Sequence, residues 1–269
     1  MRDNSRVCLR CGSEVAVRGV EKMSKSKKNI VDPDNIIEKY GADTTRLFSL
    51  FAAPPEKDLD WSEEGVEGSF RFLSRVWRLV TENMCFIEGV LPYNGDELLQ
   101  GVLKETHYLV HRTIERVTAD IGERFHFNTA ISKIMELVNS LYQWPTGQDD
   151  LTGLEKKVFR EAVEAVVLLL SPFAPHICEE LWKRLGNTRA VFETAWPKMR
   201  GSALCLDEAM LVVQVNGRVR ARVNVPAGSD QKTVEGIVMK DEKVIEWIRG
   251  KDLKNLIYVP DRLINLVVG

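Results

Sequence analysis

Apolar residues recur at helical spacing through the middle of the chain. After Ser62, a residue that can cap a helix, they lie three or four positions apart, at Val66, Phe70, Leu73, Trp77 and Val80. The same spacing recurs over roughly 99–121, after Asn128 as a further cap, and over 154–170, and a short helix ends at Gly186. Four or more helices joined by connections of modest length predict an antiparallel bundle.

Two shorter helices are predicted before this bundle. Asp32 can cap the free N–H groups of the first helix, Pro33 suits its first turn, and Gly41 suits the position after its last turn. The second helix starts near Asp43 and stops at the prolines 54–55, which interrupt helical hydrogen bonding.

The period changes from helical to alternating towards the C-terminus. Apolar residues over 211–215 and 219–225 flank Asn216-Gly217, a dipeptide typical of two-residue hairpin turns. One helix and two further strands follow, over roughly 230–248, 256–259 and 263–268. The pattern predicts a small, separate α+β module.

These elements predict a mainly α protein in four parts. Residues 1–60 carry a polar loop and two helices, residues 61–196 form the helical bundle, residues 197–209 are a linker, and residues 210–269 form the α+β module.

The composition is that of an ordinary globular protein, with 269 residues, 44% hydrophobic residues, 28% charged residues and a net charge of −2. Bulk charge therefore does not indicate nucleic-acid binding, and any RNA contact must come from local patches. Five scattered cysteines predict reduced thiols in the cytosol, and no apolar run approaches the roughly 18 residues of a membrane span. We expect a cytoplasmic protein without membrane contact.

The segment Lys22-Met23-Ser24-Lys25-Ser26 is the strongest candidate for chemistry. Lysine is a compact charge on a flexible stem, so two lysines separated by small residues can converge on one polyphosphate. Judged on charge alone, a solvated basic loop is the alternative.

The longer stretch from Lys22 to Asp43 resembles the signature loop and following helix of class I aminoacyl-tRNA synthetases. The resemblance implies that residues 1–60 are the end of a catalytic domain. The resemblance implies that Lys22 and Lys25 are catalytic, because preorganised cations stabilise the charge that builds on departing pyrophosphate. It also implies that Lys22, Ser24, Lys25 and Ser26 bind ATP, with Mg²⁺ as its companion ion in the complete enzyme.

Further segments narrow the resemblance to a smaller group of these synthetases. Residues 171–182 are similar to part of the anticodon-binding helical domain of the leucine, valine and isoleucine enzymes, where we expect His176 and Trp182 to pack in the bundle without a catalytic role. Residues 52–61 and 213–221, with the terminal strands, resemble bacterial leucyl-tRNA synthetases. The resemblance implies activation of leucine with ATP and its transfer to tRNA(Leu).

Alternation along the second hairpin strand predicts an arginine face, and the resemblance implies that this face binds tRNA. Arg218, Arg220 and Arg222 would share the solvent face, and Val219, Ala221 and Val223 would share the face that packs on the helix. Arginine's planar fork suits phosphate. The alternative is a charged edge that only keeps the module soluble.

Other features of the family are missing. Cys8 and Cys11 form a zinc-knuckle-like pair, but four ligands are needed, so no zinc is expected from this chain alone, although the pair could be half of a site completed upstream. No histidine lies in the family's His-x-Gly-His pattern, and no editing insert is recognisable. We expect a part that is inactive alone, either a truncated chain or one subunit that associates with an N-terminal synthetase subunit. A stand-alone tRNA-binding module and a valyl or isoleucyl-type fragment are the alternatives.

Overall fold

The structure is a computed structural model that describes residues 6–8, 10–15, 21–27, 29–144, 151–204, 208–260 and 262–269, without the side chains at positions 6, 15, 25, 208 and 209. It divides into two compact units, the first made of residues 1–97 and 113–198 and the second of residues 98–112 and 199–269. None of the described helices is long and apolar enough to cross a membrane.

The first unit is helical apart from a hairpin of two short strands, β1 (Arg6–Val7) and β2 (Glu14–Val15). Its helices are α1 (Pro33–Tyr40), α2 (Ala42–Phe51), α3 (Glu63–Thr81), α4 (Met84–Ile87), α6 (Phe127–Leu141), α7 (Gly153–Leu170) and α8 (Pro175–Arg184), and the longer α5 (Gly101–Gly122) contributes to both units.

Local capping explains the starts of three helices of this unit. Asp32 accepts a hydrogen bond from the amide of Asp34, Ser62 accepts one from the amide of Gly65, and Thr152 forms a capping box with Glu155. The predicted caps at Asp32 and Ser62 are therefore confirmed. The cap predicted at Asn128 is wrong, because α6 begins at Phe127 and Asn128 lies inside its first turn.

A buried ion pair holds α7 among its neighbours. The guanidinium of Arg160 contacts a Glu164 carboxylate oxygen at 2.7 Å and donates to the carbonyl oxygens of Ile87 and Leu185 at 3.0 and 2.6 Å. Arg160 is only 4% exposed, so its charge is compensated almost entirely by these protein groups.

The second unit contains a four-stranded mixed sheet. Its strands are β3 (Glu208–Val215), β4 (Arg218–Pro226), β5 (Leu253–Val259) and β6 (Leu263–Val268), in the order β4-β3-β6-β5, with only β3 and β6 parallel. The predicted hairpin is present, with Asn216 and Gly217 both at positive φ in its turn.

Two helices cover one face of this sheet. They are α9 (Gln231–Val238), capped by Asp230, and α10 (Glu242–Ile248), capped by Asp241. The single helix predicted over 230–248 is therefore wrong, because the Asp241 carboxylate accepts two backbone N–H groups and starts a new helix. The core between helices and sheet contains Leu211, Val213, Val215, Ala221, Val225, Val234, Val238, Val244, Ile264, Leu266 and Val268.

Candidate functional site

The lysine-rich loop is shaped by hydrogen bonds within its own sequence. The amide of Ser24 donates to the side-chain oxygen of Asn29 at 2.8 Å, and the Asn29 amide nitrogen donates to the carbonyl of Lys22 at 3.4 Å. The Ser24 hydroxyl lies 3.1 Å from that of Ser26 and accepts from the amide of Lys27 at 3.3 Å. The loop therefore closes into a compact turn across residues 22–29.

The lysines of this loop differ in their surroundings. Lys27 pairs with Glu21 at 2.8 Å, whereas Lys22 is exposed and has no ion-pair partner among the described residues. The side chain of Lys25 and all of Lys28 lie outside the described residues. Of the four predicted ATP-binding residues, Ser24 and Ser26 have hydroxyls that shape the turn, and Lys22 offers an unpaired ammonium.

A buried carboxylate links the helices after the loop to α8. Asp43 of α2 is 9% exposed, and its two oxygens lie 2.8 Å from Nδ1 of His176 and 2.7 Å from the amide of Ile177. The second contact satisfies a free N–H of the first turn of α8. Asp43 was not identified as a structural link from sequence, because its partners lie more than 130 positions away.

The expectation of packing in the 171–182 segment is correct for only one of the two residues that it named. Trp182 is 5% exposed and packs in the helical core, as predicted. The His176 side chain is 77% exposed, so the prediction that it packs inside the bundle is wrong.

The three predicted tRNA-binding arginines do not share a face. Val213 pairs with Ala221 and the next residue of β3, Gln214, pairs with Val219, so Arg220 is an additional residue in β4, a β-bulge. On the C-terminal side of the bulge, side chains of β4 alternate between the two faces of the sheet as predicted. At the bulge this alternation shifts by one residue. Val219 is consequently 56% exposed instead of facing the helices.

The shift brings Arg218 and Arg220 to the helix-covered side of the sheet. Arg218 pairs with the buried Val215, and the Arg220 guanidinium carbon lies 3.5 Å from the centroid of the Trp247 ring in α10. Arg222 pairs with Val212 on the opposite face. The prediction of one continuous arginine face is therefore wrong.

The cysteine pair lies at the tip of the β1–β2 hairpin. The amide of Gly12 donates to the carbonyl of Cys8 at 2.8 Å, and the thiol of Cys11 lies 3.5 Å from the Ser13 hydroxyl. Hydrogen bonds from the side chain and backbone of Ser13 lower the pKa of the Cys11 thiol. The turn holds two sulfur ligands, half of what a structural zinc ion requires.

Replacing both hairpin cysteines with serine is expected to change the free energy of unfolding by less than about 0.5 kcal/mol, because Cys11 is exposed and Cys8 half-buried. Cys178→Ser is the matched control, because Cys178 is buried. Burial, and to a smaller extent the charge of nearby Asp43, raise the pKa of its thiol. Replacing it with serine buries a hydroxyl, at a cost of about 1–3 kcal/mol. Thermal melting followed by circular dichroism measures both. A large loss for the hairpin variant, reversed by added zinc, would contradict this expectation.

Two family models match the chain. The tRNA synthetases class I (I, L, M and V) model matches residues 13–62, which contain the lysine-rich loop and its two helices. The anticodon-binding domain of tRNA ligase matches residues 104–235. The two matches follow the chain order predicted from the loop and the helical region.

Curated relatives and a solved structure agree with these matches. The chain is 51% identical to the leucine–tRNA ligase of Desulfatibacillum aliphaticivorans over 98% of its own length and 31% of the relative, and 52% identical to that of Syntrophobacter fumaroxidans over 94% and 30%. A crystal structure of the ternary complex of Agrobacterium radiobacter K84 agnB2 LeuRS with tRNA and LeuAMS superposes with a TM-score of 0.77 at 33% identity, over 92% of this chain and 32% of that one.

The chain spans about 30% of the length of the curated relatives. It is similar to the class I aminoacyl-tRNA synthetases, and along almost its whole length it matches the C-terminal part of the leucine–tRNA ligases.

Proposed function

We propose that the complete protein activates leucine with ATP and transfers it to tRNA(Leu), and that this part supplies the ATP-stabilising loop and tRNA docking. The observation that carries the proposal is identity of about half to leucine–tRNA ligases along almost the whole chain. The name of the solved relative, a complex with tRNA, also supports tRNA as the partner.

The loop is the part of this chain that would act in leucine activation. ATP enters as a substrate with Mg²⁺, and Lys22 and Lys25 would contact its phosphates. Because Ser24, Ser26 and Asn29 already close the turn, the backbone that carries the two lysines would be ordered before ATP binds. Charge on departing pyrophosphate would be stabilised there.

The remaining parts would dock tRNA. Residues 61–196 would form the anticodon-binding-type antiparallel bundle, and residues 197–209 would link it to the next module. The α+β module at residues 210–269 would contribute Arg218 and Arg220, which lie on the helix-covered side of its sheet. Phosphate contacts of this kind fix position without reading base sequence, so selection of tRNA(Leu) would depend on other contacts.

The purified chain is expected to show no leucine-dependent exchange of pyrophosphate into ATP, because the chain has no His-x-Gly-His pattern. Mixing it with the matching N-terminal part of the enzyme, as a separate subunit, is expected to produce exchange. A chain with both Lys22 and Lys25 changed to alanine is the control, and it should fail to support exchange at the wild-type rate.

The same experiment separates the alternatives. Tight tRNA binding without any exchange in the mixture would favour a stand-alone tRNA-binding module. Exchange that depends on valine or isoleucine would favour a valyl or isoleucyl-type synthetase. Against that alternative, the curated relatives described above are leucine–tRNA ligases.

A further inference from the structure

A cavity of about 350 Å³ lies beside the turn of the β3–β4 hairpin. Its lining consists of Val215, Asn216, Arg218, Arg220, Trp247 and Lys251. Three of these six residues are cations and none is a carboxylate. Like charges gathered around one cavity repel one another, so an anion bound between them would stabilise the arrangement.

The β-bulge places Arg220 in this cavity with one face already covered. Its guanidinium stacks on the Trp247 ring at 3.5 Å, which holds the planar group in one orientation. Its Nε atom is buried and has no hydrogen-bond partner among the described residues. A buried N–H without an acceptor costs free energy, so a ligand that supplied an acceptor oxygen to this Nε–H would be favoured.

Lys251 is hydrogen-bonded to the backbone of the same tryptophan. Its ammonium donates to the carbonyl of Trp247 at 3.0 Å, which leaves two of its three N–H groups for another partner. Arg218 lies on the same side of the sheet and is exposed. The cavity therefore combines a planar guanidinium stacked on an aromatic ring, a hydrogen-bonded ammonium and an exposed guanidinium.

We propose that this cavity binds one phosphate group of the RNA backbone, held by Arg220 and Lys251 and closed by Arg218. A phosphodiester offers the several acceptor oxygens and the single negative charge that these donors require. The proposal rests on the proposed tRNA docking and replaces a continuous track of three arginines with one discrete pocket. Arg222, on the opposite face of the sheet, has no part in it.

The test measures tRNA affinity of the full 269-residue chain as a function of salt. Arg220→Gln and Lys251→Gln are each expected to weaken binding about tenfold, the loss of one charged hydrogen bond, and to reduce the log–log salt slope by roughly 0.7–0.9. Arg222→Gln is the matched control, from the same strand and of equal charge, and is expected to change affinity less than twofold. Arg220→Lys keeps the charge but not the planar fork and should restore little affinity.

A second readout tests the pocket without tRNA. Titration with inorganic phosphate should shift the NMR signals of the Arg220 Nε–H and the Trp247 indole in the wild-type chain and not in Lys251→Gln. Equal losses of tRNA affinity for Arg220→Gln and Arg222→Gln would overturn the pocket and leave tRNA docking by this module intact. Unchanged affinity in all variants would overturn both, and circular dichroism confirms that each variant is folded.

Discussion

In the completed enzyme, Lys25→Ala is expected to lower the rate of leucine adenylation by roughly 10²–10³ while the KM for ATP changes little. The reason is that charge on the departing pyrophosphate is larger in the transition state than in bound ATP, so the lysine contributes most where the charge is greatest. By analogy with a lost oxyanion donor, the change corresponds to about 2.7–4 kcal/mol of transition-state stabilisation.

Single-turnover measurement of adenylate formation over a range of ATP concentrations separates the two effects. Lys27→Ala is the matched control, because Lys27 lies in the same turn but its ammonium is paired with Glu21 at 2.8 Å, and a much smaller effect is expected. A Lys25 variant that raised KM at an unchanged maximal rate would show that the lysine contributes equally to ground-state and transition-state binding.

The second large effect is expected on stability. Arg160→Met should lower the free energy of unfolding by about 3–5 kcal/mol, because it leaves the Glu164 carboxylate, 15% exposed, without its counter-charge. It also removes donors from the carbonyls of Ile87 and Leu185, two groups that lie at the ends of other segments. Denaturant unfolding followed by circular dichroism measures the loss.

Two further variants identify the cause of this loss. Arg71→Met breaks an exposed ion pair with Glu67 of the same i,i+4 spacing, and its expected cost is below about 1 kcal/mol. Combining Arg160→Met with Glu164→Met should recover part of the stability, since no uncompensated charge then remains. If the double variant were no more stable than Arg160→Met, packing of the arginine stem would account for the loss instead.

Much of the fold follows from short-range chemistry and is readable along the chain. Helical spacing of apolar residues and the caps at Asp32 and Ser62 predict where helices begin, since a cap and its amide partners lie within three residues. The Asn216-Gly217 turn is equally local, because its two residues themselves adopt the positive φ values that the hairpin requires. The resemblance of the lysine loop likewise depends only on contiguous residues.

The long-range contacts were decided by tertiary structure. The link from Asp43 to His176 and Ile177 joins residues more than 130 positions apart, and no local pattern selects those partners. The arginines show the same limit more sharply. Strict alternation would place all three on one face, but the β-bulge depends on how β4 pairs with β3, and Trp247, 27 positions after Arg220, completes the cavity. The residue types of the candidate RNA contact are therefore evident from sequence, whereas its shape is set by strand register and helix packing.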